Sequence, residues 1–79
     1  MEILEITEEI RNIVADKLCV EVAEVTPESD IMDDLDADSL AIVEILMGIE
    51  EKFEINVPDE DVPALKTVGN IADYVQKHL

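Results

Sequence analysis

The sequence predicts an all-α fold: a bundle of three main helices plus one short helix, with a long loop between helices 1 and 2. Three observations lead there. Apolar residues recur at spacings of three and four in three separate segments, the period of an amphipathic helix. No stretch alternates apolar and polar residues for long enough to build a sheet; Glu54 to Val57 comes nearest and is too short. Finally, 79 residues that are 48% hydrophobic can bury one core but not two, so residues 1–79 read as a single domain.

The first helix is expected from Ile3 to Leu18, with Ile6, Ile10, Ile13, Val14 and Leu18 as its apolar stripe. Cys19 follows and reads as a small buried hydrophobe at the helix end. From there to Asp38 the period fades. Val20, Val22, Val25, Ile31 and Leu35 are scattered among acids, while Pro27 and Ser29 signal turns, so this is a long loop that sends apolar anchors into the core. The second helix should open near Ser39 and run to Glu51 or Lys52, followed by Phe53, Ile55 and Val57 and closed by Pro58. Asp59, Glu60 and Asp61 then place carboxylates at the positive pole of a short helix, which Pro63 keeps short. Thr67 caps the last helix, whose stripe is Val68, Ile71, Ala72, Val75 and Leu79, with Lys77 and an exposed His78 at its negative end.

Charge narrows the partners. With 21 acidic and 5 basic residues the chain carries a formal charge of −16, which repels phosphate backbones and anionic headgroups and favours basic protein patches. Nucleic acid is thereby excluded, and Phe53 and Tyr74, the only aromatics, offer no base-stacking platform. A single cysteine rules out an internal disulfide framework and a paired-cysteine zinc site. No apolar run approaches the roughly 20 residues that span a bilayer. The segment Met1-Glu2-Ile3-Leu4-Glu5 lacks the positive start of a signal peptide, so a monomeric, cytoplasmic protein is expected.

The second helix carries the chemistry. With Ser39 at the origin and about 100° per residue, Ile42, Ile45, Leu46, Ile49 and Phe53 fall in one core-facing sector. Ser39, Leu40, Val43, Glu44, Met47, Glu50 and Glu51 share another face. That second face is either ordinary solvated surface or a docking patch with an apolar centre and an acidic rim. Ser39 itself is either an N-cap serine or a hydroxyl bearing a phosphate ester, which the positive helix terminus would favour. Around Ser39 there is no glycine-flanked nucleophile elbow, and the one histidine lies at position 78. Without a base or a phosphate loop in the chain itself, any modification of Ser39 must be made by another enzyme. Asp34, Asp36 and Asp38 alternate like the start of a calcium loop, but its sixth position is Ser39 instead of glycine and its twelfth is Ile45 instead of glutamate. No dedicated metal site is expected; weak divalent binding by the acidic surface is.

Asp38-Ser39-Leu40, then Val43-Glu44-Ile45, Met47, Ile49-Glu50-Glu51, Phe53, Ile55 and Val57-Pro58 together resemble the acyl carrier protein motif. Val25-Thr26-Pro27-Glu28-Ser29 and Thr67-Val68 extend the resemblance over essentially the whole chain. The resemblance implies a four-helix, non-catalytic carrier, inert as translated. A phosphopantetheinyl transferase, with coenzyme A as donor and magnesium in its own site, would esterify 4'-phosphopantetheine to Ser39, flanked by Asp38 and Leu40. The arm's thiol would hold acyl groups as thioesters and deliver them to fatty acid synthesis enzymes with basic docking patches. The resemblance further implies an acyl-chain cavity lined by Ile42, Ile45, Leu46, Ile49, Phe53 and Ile71, and partner docking through Val43, Glu44, Met47, Glu50 and Glu51. A carrier for polyketide or amino-acid loading is the sister reading; an unmodified acidic interaction module is the reading from another class. Two residues depart from the family pattern: Asp36 stands where glycine is usual, and Ala41 where an aspartate commonly follows Asp-Ser-Leu. Losing a carboxylate at 41 weakens docking to a basic partner by about 1 kcal/mol or less.

Overall fold

In a computed structural model, residues 2–79 are described; Met1, part of the leader reading above, lies outside them. Helix α1 spans Ile3–Leu18, α2 Ser39–Phe53 and α3 Val68–His78. Two stretches of 3-10 helix interrupt the connections, at Val22–Glu24 and Asp59–Ala64. The second is the short acidic helix expected from the sequence, and Pro63 lies inside it. The first was not expected, because three residues are too few to show a period.

Each α-helix turns one stripe inward. Ile6, Ile10 and Val14 of α1, Ile45, Ile49 and Phe53 of α2, and Val68, Ile71 and Val75 of α3 are buried together. Ile13 and Leu18 only flank this core. Leu79 does not join the α3 stripe: it lies beyond the last helical residue and is exposed. Among the described residues no strand forms, only an isolated antiparallel bridge between Asp30 and Thr67.

The long loop is held at both ends. Val25 and Ile31 are buried anchors. Arg11 of α1 donates through Nη2 to the Val22 carbonyl at 3.0 Å and through Nε to the Val25 carbonyl, fastening the loop's first half. Its second half is fastened to the start of α3: Ile31 N–H donates to the Lys66 carbonyl at 2.9 Å and Gly69 N–H to the Pro27 carbonyl at 2.9 Å. A Cβ at Gly69 would sit 3.1 Å from that Pro27 oxygen, so a larger residue there would push the loop back by a few tenths of an ångström. Ser29 is buried and its Oγ accepts from Thr26 N–H at 3.0 Å.

Cys19 differs from expectation. It is exposed, and it takes the left-handed conformation (φ 57°) that ends α1. Its backbone N–H closes the helix onto the Ala15 carbonyl, a capping duty usually given to glycine, and this geometry turns the thiol outward.

Candidate functional site

The head of α2 is organised by Asp38. Its backbone is extended, and its Oδ1 accepts from the Ala41 N–H at 2.8 Å. Asp38 is therefore the N-cap, and Ser39, for which capping was one reading, is the first helical residue. A carboxylate caps as well as a hydroxyl and adds a negative charge at the positive pole, so it takes the position. Ser39 is exposed, and its hydroxyl has no hydrogen-bond partner among the described residues.

The preceding acids are engaged locally. Asp30 Oδ1 accepts from Met32 N–H at 3.0 Å and Asp33 N–H at 2.9 Å, and Asp34 Oδ2 accepts from Asp30 N–H at 2.7 Å. Among the described residues no group of three or more His, Cys, Asp or Glu side chains is arranged to hold a metal ion. Asp36 sits at φ 56°, the conformation for which glycine is the common choice.

Beside Ser39 opens a cavity of about 510 Å³. Ile42 and Val43 of α2, Met32 of the loop, Val62 and Pro63 of the 3-10 helix, and Leu65 supply its apolar walls; Asp30, Asp33 and Lys66 supply its charges. Of the six residues expected to line an acyl cavity, only Ile42 does so. Ile45, Leu46, Ile49, Phe53 and Ile71 are packed in the core, because their sector of α2 and of α3 faces the closed centre of the bundle. The walls from 62 to 66 were missed. Their signal was Val62 and Leu65, apolar residues three apart in a short acidic element, which need something to pack against.

The 3-10 wall is tethered to α3 by the Tyr74 hydroxyl, which donates to Asp61 Oδ2 at 2.7 Å. That bond, then desolvation and the negative charges of Asp61, Glu50 and Glu60, raise the Tyr74 pKa above 10.0. His78 stacks on the Tyr74 ring with centroids 4.1 Å apart and does not line the Ser39 cavity.

On the outer face of α2, Leu40, Val43 and Met47 are exposed at 67%, 50% and 57%. Glu44 and Glu51 are exposed beside them. Glu50 differs: it is partly buried, and its Oε2 accepts from Val57 N–H at 2.9 Å, which ties the chain after α2 back onto the helix. Its carboxylate is a structural clasp and not a free rim charge.

An exposed hydroxyl relieved of capping at a helix head, beside a mainly apolar cavity, suits a site of covalent attachment. Known proteins place the chain in a family. A family model described as phosphopantetheine attachment site matches residues 8–75. The acyl carrier protein of Clostridium perfringens (strain SM101 / Type A) is 48% identical over 71 residues, covering 90% of this chain and 93% of the relative. That of Syntrophobacter fumaroxidans is 41% identical over 78 residues, covering 99% and 96%. A solved structure of the acyl carrier protein from Enterococcus faecalis superposes with a TM-score of 0.82 at 30% identity, with each chain covered completely. The chain belongs to the acyl carrier protein family, whose cofactor is covalently attached 4'-phosphopantetheine.

The residues present suit that group. Ser39 offers an exposed, unpartnered hydroxyl, the adjoining cavity is within the size range of small-molecule sites, and its walls are mainly apolar. When bound, the arm supplies a thiol that holds acyl groups as thioesters. No helix is long and apolar enough to cross a membrane among the described residues.

Proposed function

We propose that residues 1–79 act as one carrier domain in which Ser39 is the attachment residue, flanked by Asp38 and Leu40, and that its cargo is the growing chain of fatty acid synthesis. The observation that supports this most is the division of labour at the helix head: Asp38 takes the cap, so the Ser39 hydroxyl stays free at the mouth of the cavity. The chain's own residues bind and orient; a phosphopantetheinyl transferase with coenzyme A supplies the arm. Val43, Glu44, Met47 and Glu51, with Leu40, form the surface that meets basic patches on the transferase and on the synthesis enzymes. Glu50 contributes through the clasp at Val57. The compartment is the cytoplasm, in keeping with the lone thiol.

The test is an intact mass spectrum after incubation with coenzyme A, magnesium and a broad-specificity transferase. The parent gains one phosphopantetheine group and Ser39→Ala, still folded, gains none. An unloaded parent, or a loaded Ser39→Ala, would contradict the assignment.

A further inference from the structure

The basic residues of this chain are few, and their positions are informative. Arg11 pairs with Glu8 at 2.8 Å and Lys52 with Glu9 at 3.2 Å, so two of the five basic residues are committed to stabilising helices. Lys66 makes no ion pair among the described residues. Its backbone is nonetheless fixed: its carbonyl accepts from Ile31 N–H at 2.9 Å, and the next residue, Thr67, bridges to Asp30 and caps α3 through Asn70 N–H at 3.1 Å. A long side chain with a free ammonium thus leaves from an anchored point. It lines the same cavity as Ser39 and is the only cation there.

The neighbouring acids do not offer themselves equally. Asp30, Asp34 and Asp38 each hold backbone N–H groups of their own turns, whereas the Asp33 carboxylate, also in the cavity wall, holds none among the described residues and competes with the phosphodiester for Lys66. A phosphodiester on Ser39 would add one more anion next to Asp38 in a chain already at −16. Besides the positive end of α2, that anion has one cationic side chain in the cavity to compensate it, Lys66. Because the charge is close to surface and solvent, the attraction is modest and salt-sensitive, which suits a contact that must be made and released.

We infer that Lys66 is the counter-ion of the phosphodiester on Ser39 and lays the arm along the wall formed by Met32, Val62 and Leu65. This rests on the attachment reading given above. Lys66 is a positioning residue: it sets the share of time for which the arm lies against the carrier and leaves the thiol chemistry untouched. Free, the arm swings to a partner enzyme; paired, it keeps to the cavity.

The test uses the loaded chain in a Cys19→Asn background, so that a nitroxide label attaches only to the arm's thiol. Asparagine tolerates the left-handed cap that Cys19 occupies. Paramagnetic broadening of backbone amides is read in the parent, Lys66→Gln, Lys66→Glu and Lys66→Arg. The parent and Lys66→Arg broaden Met32, Val62 and Leu65. Lys66→Gln reduces that broadening by about two- to fivefold, the population change an exposed ion pair can carry, and Lys66→Glu reduces it further. An unchanged amide spectrum before labelling shows that the variants fold. Equal broadening in all four loaded proteins would overturn the inference while leaving the attachment reading intact. Absence of any mass gain on loading would sink both.

Discussion

The two ends of α2 are built for different purposes. From Ile45 to Phe53 the helix is locked: Ile45, Ile49 and Phe53 are buried, Lys52 pairs with Glu9 of α1, and Glu50 clasps Val57. From Ser39 to Val43 it is open: Ser39 and Leu40 are exposed, Ile42 and Val43 line a cavity, and one aspartate holds the first turn. The chain thus keeps its packing at one end of a helix and its exposed serine and cavity at the other. Substitutions should separate the two properties accordingly.

The largest contrast is between Ile49 and Leu40. Ile49 is fully buried, so Ile49→Ala removes packing and leaves a cavity, at a cost of about 2–5 kcal/mol. For a domain this small that is a large share of the total. Leu40→Ala, at a 67% exposed residue, changes stability by about 0.5 kcal/mol or less. Its effect falls on docking, as a higher KM for the transferase. Urea melts and loading kinetics of both variants check this. Comparable destabilisation by the two would dissolve the distinction between the ends.

A smaller effect sharpens the account of how the loop delivers the chain to α2. Asp36 holds a left-handed backbone just ahead of the cap, and among the described residues no hydrogen bond of its side chain accounts for it. Asp36→Ala keeps the strain without the tolerance that aspartate has there, and lowers stability by about 1 kcal/mol despite removing a repulsive charge. Asp36→Gly holds or raises stability. Equal losses in both would assign the role to the carboxylate.

The smallest effect concerns the tether of the cavity wall. Tyr74 has its pKa raised above 10.0, first by its hydrogen bond to Asp61. The native state therefore holds the phenolic proton more tightly than the unfolded chain does. The stabilisation is complete below pH 10.0 and is lost as pH rises through the native value. With one tyrosine and no tryptophan, tyrosinate absorbance reports this group alone. Its midpoint lies above 10.0 in the parent and moves down in Asp61→Asn; an unmoved midpoint would remove the tether.

Much of this was legible in the sequence. The period of three and four gave α1 its bounds, Ile3–Leu18, and Thr67 its place as cap of α3, where its Oγ1 accepts from Asn70 N–H. α2 ran on to Phe53, because the buried ring belongs to the same stripe as Ile49. What escaped were features that leave no periodic trace. The left-handed turn at Cys19 is made without glycine, so nothing in the composition marked it. The choice of Asp38 over Ser39 as cap is a one-residue register that two good capping residues in succession leave open. Glu50 was expected on the acidic rim; its bond to Val57, which takes it out of that rim, depends on how the chain doubles back after α2. The cavity walls from Val62 to Lys66 meet Ser39 only through tertiary packing.

The central claim is that Ser39 accepts the arm because Asp38 has relieved it of capping. The chain has one other serine, Ser29, which is buried and bonded to Thr26. Fragment mass spectrometry of the enzymatically loaded chain tests the claim most directly. The account predicts the phosphopantetheine on Ser39 alone; its appearance on Ser29 or Cys19 would contradict it.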